Sequence, residues 1–125
     1  MDIRGRTKQR RRLRARRHAR IKKKIRGTAA RPRLAVFRSL RNVEGQLVDD
    51  DRGITLLGVS TRAAVEGDAG ERSGKIAEAY LAGRRLGERA VGADVDEIVF
   101  DRGGYPYHGR VRAFAEGARD GGLRF

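Results

Sequence analysis

The fold is decided by residues 33–60, which read RLAVFRSLRNVEGQLVDDDRGITLLGVS. Three runs within this stretch, residues 33–39, 43–49 and 54–60, carry aliphatic and β-branched residues in the short patterns that are typical of strands. Residues 50–53 between the second and third runs form a short polar connection, so these two runs are predicted to pair as a hairpin. The first run lies close enough in sequence to pair with one of them through its own short turn.

The rest of the domain alternates helix and strand patterns. Residues 73–90 are predicted to form a helix whose small and apolar residues lie on one stripe, with Leu81 off it. A strand at residues 97–100, a glycine-rich loop at 101–109 and a helix at about 110–119 follow. The stripe of the first helix consists of Ile76, Ala79, Tyr80, Gly83, Leu86, Gly87 and Ala90.

The element order predicts an α/β domain. Three strands, a helix, a strand and a helix favour a mixed sheet with helices packed against it and a right-handed crossover between the third and fourth strands. Gly121 and Gly122 are predicted to end the last helix. The apolar residues after them, Leu123 and Phe125, are expected to pack back onto the domain.

Positive charge is concentrated at the start of the chain. Residues 1–26 hold 14 basic residues and one acid, whereas residues 27–125 hold 16 basic and 15 acidic residues. A block of like charge is best held by a polyanion, so the chain is divided into a basic RNA-binding arm, 1–26, and an α/β domain, 27–125. Pro32 disfavours helix at the residue before it, which predicts a hinge at residues 27–32. The candidate RNA-binding residues of the arm are Arg4, Arg6, Lys8, Arg10, Arg11, Arg12, Arg14, Arg16, Arg17, His18, Arg20, Lys22, Lys23, Lys24 and Arg26.

The arm consists mostly of residues that form helix readily, but its basic residues would lie on every face of that helix. Like charges four residues apart each cost about 0.2–0.5 kcal/mol. We therefore expect the arm to be frayed when free and helical once phosphates neutralise it.

The glycine-rich loop is the second candidate RNA contact. Its glycines permit close backbone approach, its tyrosines and histidine offer rings for stacking, and two arginines bracket them. The loop also leads into a helix N-terminus, which favours phosphate, although one of the tyrosines is expected to be structural. The candidate residues are Arg102, Gly103, Gly104, Tyr105, Tyr107, His108, Gly109 and Arg110.

Enzyme and metal chemistry are weakly signalled. Residues 70–75 resemble a phosphate loop, but the spacing is a residue short and Ile76 stands where a magnesium-binding hydroxyl is needed, so they are interpreted as a helix entry. Asp49 and Asp101 leave open a metal-dependent nuclease as an alternative, and a non-specific cationic chaperone or DNA binder is a further one. There is no cysteine, and His18 and His108 are far apart. No cofactor, metal site, membrane segment or small-molecule substrate is predicted.

Four segments together resemble a known family. They are RPRLAVFRS at residues 31–39, QLVDD at 46–50, VFDRGGYPYHGRV at 99–111 and GGLRF at 121–125. Their order and spacing resemble bacterial large-subunit ribosomal protein eighteen, a family that binds 5S rRNA. The resemblance implies a three-layer α/β fold with a mixed sheet of ribonuclease-H-like topology, of the translational machinery component type, extended by a basic N-terminal helix and without nuclease chemistry.

The same resemblance implies a role in the cytoplasmic ribosome. It implies binding to 5S rRNA, attachment of that RNA to 23S rRNA in the central protuberance, and contact with neighbouring large-subunit ribosomal proteins. Besides the arm and the loop, it assigns RNA contact to Arg33, Phe37, Arg38, Ser39 and Asn42. The chain departs from the family pattern in two places. Glu44 stands where relatives carry an aromatic residue, and Pro106 stands where many carry a polar or basic one.

Overall fold

The structure, a computed structural model, describes residues 3–22, 25–63 and 65–125, and the side chains of residues 3–7, 18, 21 and 22 are outside the description. These residues form helices α1 (Ile3–Lys22), α2 (Gly74–Gly92) and α3 (Gly109–Asp120) and strands β1 (Arg33–Arg38), β2 (Val43–Asp49), β3 (Ile54–Ser60) and β4 (Val99–Asp101). None of the described helices is long and apolar enough to cross a membrane.

The strands form one mixed sheet in the order β3-β2-β1-β4. Strand β2 pairs antiparallel with both β1 and β3, which confirms the predicted hairpin and the pairing of the first run. Strand β4 returns through α2 to lie parallel to β1. The predicted mixed α/β architecture is therefore confirmed, while the ribonuclease-H-like topology and the third layer stay predictions.

The core lies on the sheet face that carries Leu34 and Val36, both fully buried. Leu34 is paired with Leu47, and Val36 is paired with Gly45. Gly45 is required here, because a Cβ atom at this position would collide with the Phe114 ring of α3. A missing side chain in β2 therefore makes the space into which α3 inserts its largest apolar group.

Helices α2 and α3 approach each other closely because glycine lines their contact. A Cβ atom at Gly83 would lie under 3.0 Å from the carbonyl oxygen of Phe114, and one at Gly117 would lie under 3.0 Å from that of Tyr80. The apolar stripe predicted for α2 is confirmed as its buried side, apart from Ile76, which is partly buried. Leu81, off the stripe, also packs against the core, and Gly67 of the preceding loop lies close to it.

The last strand differs from its predicted bounds. Residues 97–100 were expected to form it, but β4 begins at Val99, and Glu97 instead bridges Arg124 of the C-terminal tail. The tail packs back as predicted: Leu123 is 3% exposed, and the Phe125 ring stacks on Phe100 with centroids 5.4 Å apart. The tail is bonded to the residues just before β4, because the Ile98 amide donates to the Arg124 carbonyl oxygen over 3.2 Å and the Arg124 amide donates to that of Asp96 over 2.7 Å.

Residues 27–32 are not helical, as predicted, but they are fastened to the sheet rather than left as a free hinge. The Gly27 amide donates to the Asp50 carboxylate over 2.7 Å, and the Asp50 amide donates back to the Gly27 carbonyl oxygen over 3.0 Å. Pro32 is fully buried. The point at which the chain leaves the domain towards α1 is therefore fixed.

Candidate nucleic-acid interface

A cleft of about 650 Å³ opens between α1, the β1–β2 turn and the loop before α3. Six of its lining residues are arginines and none is acidic, so we call it the arginine cleft. Planar guanidinium groups in a shared concavity suit bidentate contact with phosphate oxygens. The lining residues are Arg11, Arg14, Arg38, Ser39, Leu40, Arg41, Asn42, Arg62, Tyr105 and Arg110.

The β1–β2 turn forms one wall of the arginine cleft. The Ser39 amide donates to the carbonyl oxygen of Asn42 over 2.9 Å, and the Asn42 amide donates to the Ser39 hydroxyl over 3.1 Å. The Thr61 hydroxyl then donates to the Asn42 side chain over 3.1 Å, which places the end of β3 beside the turn. These bonds hold Arg41 and Arg62 at the same rim.

Arg110, in the first turn of α3, carries a buried donor that no described residue satisfies. One guanidinium nitrogen donates to the Ser39 carbonyl oxygen over 2.7 Å. The other terminal nitrogen, Nη1, is buried and has no hydrogen-bond partner among the described residues. A buried N–H group without an acceptor is costly, so this side chain is poised to donate to a group brought by a ligand.

Helix α1 contacts the loop before α3 through two arginines. Arg14 donates to the Tyr105 hydroxyl over 2.8 Å, and Arg17 donates to the Gly104 carbonyl oxygen over 3.1 Å. The Tyr105 hydroxyl in turn donates to the Arg38 carbonyl oxygen over 3.1 Å. The guanidinium groups of Arg14 and Arg38 both lie over the Tyr105 ring, at 4.7 and 4.9 Å from its centroid.

The other described basic side chains of α1 are exposed. No carboxylate pairs with any of them in the part of the chain that the structure describes, and the helix has no acid in its first turn. They are therefore available to a polyanion, in the way that the charge pattern predicts. These side chains are Lys8, Arg10, Arg11, Arg12, Arg16 and Arg20.

Six predicted arm residues have no described side chain, and a seventh pairs with a carboxylate. Arg4, Arg6, His18 and Lys22 belong to α1, but their side chains are outside the description, and Lys23 and Lys24 lie outside the described residues. Arg26 is described, and its guanidinium forms an exposed ion pair with Asp51 at 2.8 Å.

Arg33 is the exception among the predicted RNA contacts, because it is buried in an ion-pair cluster. It is 9% exposed, and it donates to Asp50 over 2.9 Å and to Asp101 over 2.8 Å. The hydrogen bond from Arg33, opposed by burial and aided by the Gly27 amide, lowers the pKa of Asp50 to about 2. The donors of Arg33 thus hold the domain together, and its contact with RNA stays a prediction.

With this geometry described, comparison with known proteins decides the family. The sequence model of the family described as "Ribosomal L18 of archaea, bacteria, mitoch. and chloroplast" matches residues 8–125. The chain belongs to the ribosomal L18 family. It is 52% identical over 113 residues to large ribosomal subunit protein uL18 of Pelotomaculum thermopropionicum, covering 90% of this chain and 93% of that protein.

Two further uL18 proteins agree with this assignment to L18. The protein of Herpetosiphon aurantiacus is 51% identical over 116 residues, which cover 92% of this chain and 95% of the relative. The protein of Thermomicrobium roseum is 49% identical over 116 residues, which cover 90% and 91%. The chain is a structural constituent of the large ribosomal subunit in the cytoplasm and not an enzyme, so these predictions are confirmed.

The two carboxylates of the nuclease alternative have other roles in this L18 chain. Asp101 accepts from Arg33 through one oxygen and from the Gly103 amide, at 2.9 Å, through the other. Asp49 accepts from the amides of Asp51 and Arg52, which shapes the β2–β3 hairpin turn. The described residues contain no cluster of three side chains suited to a metal. Residues 70–75, which resemble a phosphate loop, lead into α2 as predicted, and Ser73 directly precedes that helix.

The loop residues that were predicted to form one RNA contact do not share one surface. Tyr105 and Arg110 line the arginine cleft. Tyr107 instead packs edge-to-face on Phe100 at 6.1 Å and accepts a hydrogen bond from Arg119. The remaining loop residues also differ in their surroundings. His108 lines a separate shallow depression with Arg72 and Arg112, Gly109 begins α3, Gly103 and Gly104 are buried, and Arg102 is half-buried.

Phe37 is 45% exposed and is paired with Glu44 in the sheet, so it lies on the face opposite the core.

Sequence reasoning missed three cleft residues, Leu40, Arg41 and Arg62. Leu40 is 90% exposed at the tip of the turn. Arg62 reaches the cleft because Glu44 is paired with Ser60, which carries the chain after β3 to the β1–β2 turn. A signal did exist, since Arg41 and Arg62 each lie two residues after the end of a predicted strand. Only the register of those strands shows that the two arginines meet.

Proposed function

We propose that this L18 chain binds 5S rRNA through the arginine cleft and helps to attach that RNA to 23S rRNA in the central protuberance, beside neighbouring large-subunit proteins. The single observation that carries the proposal is a concavity lined by six arginines and no acid. Arg38, Ser39, Asn42, Tyr105 and Arg110, which the family resemblance or the loop chemistry assigns to RNA, are all among its lining residues.

The cleft suits a folded RNA backbone rather than a metabolite. Phosphate contacts position an RNA, and each contact with a basic side chain releases a counterion and steepens the salt dependence of affinity. The buried Nη1 atom of Arg110, which has no partner among the described residues, would supply a fixed donor for one acceptor on that RNA. Since the chain catalyses no reaction, its role is to hold RNA in place.

Helix α1 can serve a second RNA segment. Arg11 and Arg14, three residues apart, face the arginine cleft. Other cations of the same helix, among them Lys8, Arg12 and Arg16, do not line the cleft and are exposed. We assign these outward cations to 23S rRNA, with the cleft holding 5S rRNA.

Binding to transcribed 5S rRNA and to a control RNA of the same length, over a range of salt concentrations, tests the cleft. The variant Arg110→Ala is compared with Arg112→Ala, which removes an arginine two residues further along α3 that does not line the cleft. We expect about a tenfold loss of 5S affinity for the first and under about twofold for the second. Equal losses, or equal affinity of the wild type for both RNAs, would overturn the proposal.

Co-retention of labelled 5S rRNA on an immobilised 23S fragment tests the bridging role. A variant with Lys8, Arg12 and Arg16 changed to Gln is expected to keep 5S binding and to lose co-retention. Loss of both activities together would contradict the division between the cleft and the outward face of α1.

A further inference from the structure

Tyr105 lies at the base of the arginine cleft but is not open to an RNA base. Its side chain is only 7% exposed. Its amide donates to the Arg102 carbonyl oxygen over 3.1 Å, and the preceding Gly103, with φ of +65°, lets the loop pass against the Val36 carbonyl oxygen. The ring is therefore held by the domain, and stacking on RNA needs a ring face that this residue does not offer.

The hydroxyl of Tyr105 joins two elements that the chain places far apart. It accepts from Arg14 of α1 over 2.8 Å and donates to the carbonyl oxygen of Arg38 at the end of β1 over 3.1 Å. One hydroxyl group thus uses both its donor and an acceptor site, 91 residues from Arg14 and 67 from Arg38 in sequence. Loss of this oxygen removes both bonds together.

The ring of Tyr105 also lowers the cost of placing two cations side by side. The guanidinium groups of Arg14 and Arg38 lie 4.7 and 4.9 Å from its centroid, within the range of cation–π attraction. Both arginines line the arginine cleft. Like charges at such a site repel each other in the absence of RNA, so a ring that attracts both guanidinium groups favours keeping them in the cleft.

We infer that Tyr105 is a positioning residue for RNA binding, which holds Arg14 of the arm and Arg38 of the sheet as one phosphate-binding wall. The inference rests on the proposed function of the cleft. Both side-chain hydrogen bonds that the described part of α1 donates to the domain end on this loop, at Gly104 and Tyr105. Where the free arm would otherwise fray, these two bonds align Arg14 and Arg17 with the cleft, so less ordering is left for the RNA to impose.

The variant Tyr105→Phe tests this role, because it keeps the ring and removes only the hydroxyl. RNA affinity is measured across a salt series in the wild-type and Arg14→Gln backgrounds, with Tyr107→Phe as the matched control. Tyr107 also has its hydroxyl bonded to an arginine, Arg119, but lies outside the cleft. We expect Tyr105→Phe to weaken binding about three- to tenfold and to flatten the log–log salt slope by about one, the value of one phosphate contact. In the Arg14→Gln background the further loss should be clearly smaller, because only the bond to the Arg38 carbonyl oxygen is then left to remove. Tyr107→Phe should resemble the wild type.

An equal loss in both backgrounds, or no loss in either, would overturn the inference. Should Tyr105→Phe also lower the unfolding midpoint, Arg14→Lys replaces it, since this change keeps the charge, leaves the domain intact and removes the planar group from the ring. Arg14→Lys is then expected to reproduce the weaker binding, and wild-type behaviour would refute the role.

The effect on phosphate contacts should appear on 5S rRNA and on the control RNA alike. If the inference fails, the Tyr105 variants do not change affinity as expected on either RNA. If the proposed function fails, the wild type binds 5S rRNA and the control RNA with equal affinity. The two failures are therefore distinguishable.

Discussion

Arginine serves opposite purposes in the two parts of this molecule. In the domain, Arg33 is buried and bonded to Asp50 and Asp101. In α1, Arg12 and Arg16 are exposed, and no carboxylate pairs with them among the described residues. The same side chain is a structural tie where carboxylates surround it and, where none do, an exposed cation that we propose contacts RNA. The carboxylates next to an arginine, rather than the number of arginines in a region, therefore separate the buried Arg33 from the exposed cations that we propose for binding.

The largest effect is expected at Arg33. The change Arg33→Met removes the guanidinium that donates to Asp50 and to the fully buried Asp101, which should destabilise the domain by about 3–5 kcal/mol. Arg12→Met, in the arm, is the matched control and should change stability by under about 0.5 kcal/mol. Urea unfolding followed by circular dichroism measures both, and similar losses would erase the contrast between the two regions.

Removal of the arm tests whether its arginines serve RNA binding and not the stability of the domain. Without residues 1–26, we expect a folded domain with an unfolding midpoint near that of the full chain, because the bonds of Gly27 to Asp50 remain. RNA affinity at low salt should fall on the order of 100-fold, with a much flatter salt slope. An unfolded product would show that the boundary between arm and domain is misplaced.

The pH dependence of stability should report the Arg33 cluster. Asp50 has a pKa of about 2 in the folded protein, below its ordinary 3.8, so its contribution is present above about pH 4 and is lost as the pH falls towards 2. After solvent screening, this contribution is about 1–2 kcal/mol. Unfolding free energies between pH 5 and pH 2 should therefore fall more steeply for the wild type than for Asp50→Asn, and parallel curves would contradict the assignment.

The smallest effect concerns Glu44, an acid beside the cleft. Its carboxylate lies 3.6 Å from the guanidinium of Arg62, and Glu44→Gln should raise RNA affinity about two- to threefold by releasing that cation. Glu88→Gln is the matched control. Glu88 lies 3.6 Å from the guanidinium of Arg84, the same separation as in the Glu44–Arg62 pair, and neither residue lines the cleft. A gain from both variants would indicate only a change in net charge.

The sequence allowed much of the fold to be predicted, because local patterns determine it. The strands of residues 33–60 follow from alternation and from short turns, and the buried side of α2 follows from helical periodicity. The bounds of β4 could not be predicted, since Glu97 pairs with Arg124 in a tail that only tertiary packing brings there.

The candidate site could be predicted in part for the same reason. Arg38 and Arg110 could be predicted as contacts, and both line the cleft. The contribution of Arg62 could not, because it depends on strand register. The burial of Arg33 could not either, because its partners lie 17 and 68 residues away in sequence.

The fastening of Gly27 has a consequence for how the two RNA contacts act together. Arg17 is bonded to Gly104, and Gly27 is bonded to Asp50, so α1 is attached to the domain at two points. If the cleft binds one RNA as proposed, the outward cations of α1 are therefore held close to that RNA. A second RNA segment joined to the first would meet them at a local concentration in about the millimolar range, at which even a weak second contact is occupied.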